Sequence, residues 1–140
     1  MIRNNKGLQG LVGLEISEVI GLEEDSEVVK IVTADGSVGI FYHEQDCCET
    51  VNLNDFEFSG SSFEGAVILS AEEVEGECEN LLPEGYYDSF TWTFYKICTT
   101  KGELWMRWFG ESNGYYSESV DFILLSKQEV SDTGTLKYYG

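Results

Sequence analysis

The stretch VVKIVTADGSVGIFY, residues 28–42, decides the fold class. Two runs rich in β-branched and aromatic residues flank Asp35-Gly36, a dipeptide that accepts the positive φ of a tight turn, so the pattern predicts an antiparallel hairpin. The same grammar recurs downstream. Residues 86–100 (YYDSFTWTFYKICTT) carry the aromatic and threonine content that suits a pleated surface. Lys101-Gly102 turns the chain, ELWMRWF returns it, and Ser112-Asn113-Gly114 turns it again into YYSESVDFILL, which reads as a three-stranded meander. Upstream, LVGLEISEVIGL (11–22) reads as a strand with Leu14 and Ile16 as apolar positions. Between the hairpins, Val51 and Leu53 alternate with Asn52 and Asn54 as a short strand, 57–62 reads as a loop, and a further strand starts at Ala66.

These elements predict an α+β class that is predominantly antiparallel β: a single-domain sandwich or roll of about seven or eight strands with little helix. Residues 1–10 read as a flexible arm, 11–126 as the domain, and 127–140 as a tail that adds a final short strand through Leu136 to Tyr139.

Charge narrows the function. The chain of 140 residues holds 26 acids against 8 bases, a formal net charge of −18. Affinity for a phosphate backbone rests on Lys and Arg displacing counterions, so a direct nucleic-acid reader is disfavoured. An acidic surface favours solubility or a partner with a basic surface. No stretch is long and apolar enough for a signal or a membrane span, so a cytoplasmic setting with reduced thiols is expected. Cys47 and Cys48 are adjacent, which strains a bond between them and leaves longer-range pairings with Cys78 or Cys98.

The chemically richest stretch is HEQDCCETV, residues 43–51, which holds the only histidine and two of the four cysteines. Aligning KIVTADGSVGIFYHEQDC (30–47) with KICTTKGELWMRWFGESN (96–113) sets Asp46-Cys47-Cys48 against the later Ser112-Asn113-Gly114 turn. This echo is either the shared grammar of hairpins or an internal duplication. On either account the cysteine pair is bent. The bend matters because a straight strand would separate His43 from Cys47 by about 13 Å.

Three readings meet here. Zinc could take His43, Cys47 and Cys48 with a further cysteine, although the spacing matches no paired-knuckle pattern. A thiolate nucleophile activated by His43 and oriented by Asp46 lacks a visible oxyanion element. The third reading is structural, with one cysteine buried and His43, Asp46 and Glu49 satisfying turn amides. The candidate binding residues are His43, Gln45, Asp46, Glu49, Trp108, Asn113, Tyr115 and Tyr116; no catalytic residue is assigned. Along residues 104–109, Leu104, Met106 and Trp108 would line one face, and Trp105, Arg107 and Phe109 the other. That aromatic band either packs between two layers or presents a patch to a partner or a second copy of the chain.

The strings FYHEQDCCETV (41–51), AEE (71–73) and WTFYKICTTKGELWMRWFGESNGYYSESVDF (92–122) carry a resemblance. Through them the chain resembles a family of small bacteriophage and prophage proteins known only as a domain of unknown function. It departs from the family around 54–64, where the family tends to have a helical turn. The resemblance implies a virus-related source, a bacterial host cytoplasm, and an accessory role in binding a host or defence protein, without an assigned activity. Alternatives are the zinc-binding or thiol-dependent site and a small-ligand sponge.

Overall fold

The computed structural model describes residues 8–43, 48–74, 89–112 and 118–128. A short 3-10 turn, Leu8–Leu11, precedes eight strands: β1 Ile16–Ile20, β2 Val29–Thr33, β3 Val38–Tyr42, β4 Thr50–Phe58, β5 Ile68–Val74, β6 Ser89–Thr99, β7 Gly102–Ser112 and β8 Asp121–Leu125. They form two four-stranded sheets, ordered β1-β2-β3-β8 and β4-β7-β6-β5, and every pairing is antiparallel. The fold is therefore the β-rich single domain that the hairpin grammar predicts. The expected strand at Leu136 to Tyr139, the Asn113-Gly114 turn and the start of the arm lie outside the described residues.

Both expected hairpins form, and each is closed by a threonine. In β2-β3, Gly36 takes φ 92° while the Asp35 carboxylate accepts from Thr33 Oγ1 at 2.5 Å and from the Ser37 amide at 2.9 Å. These bonds, that from Thr33 first, hold the Asp35 carboxyl below its ordinary pKa. In β6-β7, Thr99 Oγ1 accepts from the Lys101 and Gly102 amides at 3.1 Å and donates to the Gly102 carbonyl at 2.8 Å.

The two hairpins differ by one residue in register. Ile31 pairs with Gly39, whereas Ile97 pairs with Leu104, the residue aligned with Val38. Because side chains alternate, that slip turns the returning strands to opposite faces. Leu104, Met106 and Trp108 enter the core between the sheets, while Val38, Ile40 and Tyr42 join Leu125 in a second apolar cluster. The echo is thus hairpin grammar and not a structural repeat.

The expected meander does not form. β8 leaves β6 and β7 and pairs with β3, Phe122 opposite Phe41. The reason is that β7 has two ladder edges, and β6 and β4 occupy both. A Cβ on Gly110 would come within 2.4 Å of the Glu118 carbonyl oxygen, so a glycine lets the crossing chain lie against β7.

β4 is also longer than expected, running through residues read as a loop. A bulge between Leu53 and Asp55 shifts the phase, so the inward set is Val51, Leu53, Phe56 and Phe58. The alternation breaks at Asn54, and a strict period-2 reading stops there.

The core draws on both sheets. Phe41 contacts Tyr95 and Phe122, each at 4.7 Å between ring centroids. Such pairs add about 0.5–1.5 kcal/mol each beyond area burial. Two corners tie the sheets together. Ile16 donates to Ala66 O at 2.7 Å and Ile68 to Leu14 O at 2.9 Å, while Leu53 donates to Ser26 O at 2.7 Å and Asp25 to Leu53 O at 2.8 Å.

Candidate functional site

Two places concentrate chemistry. The first is the outer face of the β4-β7-β6-β5 sheet. With Tyr95, Ile97, Leu104, Met106 and Trp108 turned inward, the alternate positions Trp92, Phe94, Lys96, Trp105, Arg107 and Phe109 turn outward. Phe109 is largely covered by its neighbours, lying 4.8 Å from Trp92 and 6.2 Å from Phe90 between ring centroids. Trp105 remains 38% exposed and Phe90 37%, large values for residues of this kind on a strand.

The two outward bases are each spoken for. Arg107 stands over the Trp92 ring at 5.2 Å, donates from Nε and Nη2 to Asn54 Oδ1 at 3.1 and 2.8 Å, and lies 3.5 Å from Asp55 Oδ2. The bulge supplies that acceptor, because Asn54 is the residue it leaves without a ladder partner. Lys96 stands over the Trp105 ring at 5.4 Å and lies 3.8 Å from Glu103. Glu103 also accepts from the Trp105 indole N–H and the Cys98 thiol, and the indole bond first holds its carboxyl below the ordinary range.

Trp105 is thus drawn toward Glu103 and Arg107 toward Asn54, in opposite directions along β7. Between them opens a cavity of about 270 Å³ lined by Asp55, Phe56, Glu57, Phe94, Trp105, Met106 and Arg107. Glu57, exposed and opposite Trp105 across the strands, has no hydrogen-bond or ion-pair partner among the described residues.

The second place is the reversal after β3. His43 Nε2 and Glu49 Oε1 lie 2.9 Å apart, with side chains 3% and 0% exposed. His43 Nδ1 lies 2.7 Å from the Ser119 carbonyl, which can only accept, so Nδ1 carries a hydrogen. His43 and Glu49 thus form a buried hydrogen-bonded pair. Beside it Glu118, 8% exposed, accepts from Thr91 Oγ1 at 2.8 Å and Ser112 Oγ at 2.5 Å. The pair links β3 to the start of β4 and to the segment entering β8, where it serves as a strut.

Two of the candidate residues, His43 and Glu49, are brought together, while the bend expected at Asp46-Cys47-Cys48 falls partly outside the described residues. Gln45, Asp46, Cys47, Asn113, Tyr115 and Tyr116 lie outside the described residues. Trp108, one of the candidate binding residues, is fully buried in the core, and among the described residues its Nε1 has no hydrogen-bond partner. Cys48 is disulfide-bonded while Cys98 is a free thiol, so the expectation of reduced thiols does not hold at Cys48. Zinc at His43, Cys47 and Cys48 would require reduction of that bond and release of one imidazole nitrogen, since both nitrogens are engaged. Among the described residues no group of three or more His, Cys, Asp or Glu is placed to hold a metal ion.

A family model described as a domain of unknown function, DUF7448, matches residues 9–122. The chain belongs to that family. The matched span runs from the 3-10 turn to the start of β8, so the DUF7448 domain includes both the His43–Glu49 pair and the aromatic sheet face. No curated protein and no solved structure matches the chain. Among the described residues no helix is long and apolar enough to cross a membrane.

The sequence reading missed Asp55 and Glu57, which line the cavity, Asn54, which accepts from Arg107, and the buried Glu118. The signal for the first three was the in-phase pair Phe56 and Phe58 beyond the bulge.

Proposed function

We propose that this DUF7448 domain is a non-enzymatic binding module that engages a partner protein with a basic surface through the outer face of its β4-β7-β6-β5 sheet. The observation that carries this reading is Trp105, 38% exposed on that face beside the unpaired Glu57 in a chain of net charge −18. Tryptophan is enriched among the side chains that carry most of the binding energy at protein interfaces, and a strong opposite charge speeds encounter. The most economical setting is a bacteriophage or prophage accessory protein acting on a host or defence protein, as the sequence resemblance implies.

The reading is tested by capture from a bacterial lysate on immobilised protein in low and high salt, with Trp105→Ser as comparison. A partner held at low salt, released at high salt and lost in the variant supports it. Absence of any salt-sensitive partner contradicts it.

A further inference from the structure

We propose that the cavity between Trp105 and Arg107 receives the guanidinium of an arginine side chain from the partner protein. This rests on the reading of the sheet face as a docking surface for a basic partner, and it assigns the occupant of one pocket on that face.

Shape sets the first requirement. Side chains two residues apart on one face of a strand stand about 7 Å from each other, which leaves room for one flat group about half that thick. Trp105 and Arg107 stand in that relation on β7, and their own partners, Glu103 and Asn54, pull them apart. Phe94 closes the β6 side and Asp55 and Glu57 close the β4 side. A volume of about 270 Å³ lies below the range that suits a drug-sized ligand and fits one side chain.

Charge sets the second requirement. Asp55 is committed, with Oδ1 accepting from the Phe56 amide at 2.8 Å and Oδ2 3.5 Å from Arg107. Arg107 is matched in turn by Asp55, Asn54 and the Trp92 ring. What remains is the Glu57 carboxylate beside the Trp105 indole, in the field of a chain with 26 acids and 8 bases. A cation fits this and an anion does not. The face already shows the preference, since Lys96 and Arg107 each stand over an indole.

A group both flat and cationic is a guanidinium, which stacks on an aromatic plane and bonds a carboxylate through two parallel N–H groups. Lysine meets the charge requirement alone, and a neutral planar amide meets the shape requirement alone.

The test is binding of three acetylated hexapeptides, of arginine, lysine and citrulline, to the full chain at low salt, followed by isothermal calorimetry. Comparison variants are Glu57→Gln and Trp105→Ala on the pocket and Glu18→Gln on the exposed edge strand β1, which makes the same change in charge. The expected result is arginine bound more tightly than lysine, citrulline not bound, and a loss of about tenfold in arginine affinity in both pocket variants with Glu18→Gln near wild type. Glu57→Gln alters only an exposed side chain, so it stands as the readout should Trp105→Ala fold poorly. Equal losses in Glu57→Gln and Glu18→Gln, or equal affinity for arginine and lysine, overturn the pocket assignment while leaving a basic partner in place. No binding of either cationic peptide overturns both.

Discussion

His43 and Glu49, six residues apart in the chain, meet at 2.9 Å inside the protein. Their contact turns the chain from one sheet to the other, and the Ser119 carbonyl on His43 Nδ1 steers the later crossing to β8. His43 and Glu49 thus join strands of the two sheets, and the aromatic sheet face is the surface proposed for a partner.

Breaking this strut distinguishes a buried pair from a surface one. Glu49→Ala leaves Nε2 without a partner and is expected to lower stability by about 3–5 kcal/mol, the usual result of removing one member of a buried pair. Glu49→Gln keeps a donor for a neutral imidazole, so a loss of about 1–2 kcal/mol is expected. Urea denaturation of the two variants checks the order, and equal losses would contradict it.

The crossing chain also depends on Gly110. An added methyl group meets the Glu118 carbonyl oxygen, so Gly110→Ala is expected to destabilise the fold by about 1–3 kcal/mol or more. A thermal melt reads this directly. Unchanged melting would mean that residue 118 does not rest on β7.

Alternation along β7 gives two tryptophans opposite fates. Trp108→Ala removes a fully buried indole and is expected to cost about 3–5 kcal/mol. Trp105→Ala removes a ring that is 38% exposed and is expected to change stability by about 1 kcal/mol at most. Chemical denaturation of both variants would expose a misassigned face at once.

The first hairpin turn carries a pH dependence. The Thr33 hydroxyl and Ser37 amide hold the folded Asp35 carboxyl below the unfolded value, so its stabilisation is complete above the ordinary aspartate range. It is lost as pH falls through the lowered folded pKa. The stability difference between wild type and Asp35→Asn should therefore be largest near neutral pH and vanish in acid. A difference that grows toward low pH would reverse the sign and refute the assignment.

How much of this was legible in the sequence depends on the range of each interaction. Asp35-Gly36 and Lys101-Gly102 announce their turns locally, and the alternation from Leu104 to Phe109 announces two faces, so both hairpins could be read. That His43 and Glu49 share a neighbourhood was legible too, from the clustering of chemically capable side chains in residues 43–51. The destination of β8 was not, since it depends on β4 reaching the free edge of β7 from half a chain away. Nor was the cavity. It needs the bulge at Asn54, which breaks the period-2 pattern at the point where the pattern would have led to Asp55 and Glu57. The one-residue slip between hairpins is equally silent in sequence, yet it decides that Val38, Ile40 and Tyr42 face away from the main core.

The outer face of the β4-β7-β6-β5 sheet is the surface proposed to dock a basic partner. A heteronuclear NMR titration of labelled protein with the arginine hexapeptide tests it most directly. A saturable, salt-sensitive shift of the Trp105 indole N–H together with the Phe94 and Glu57 amides is expected, while the buried Trp108 indole stays in place. Shifts confined to acidic positions on the other sheet, such as Glu18, with the Trp105 signal unmoved, would contradict it.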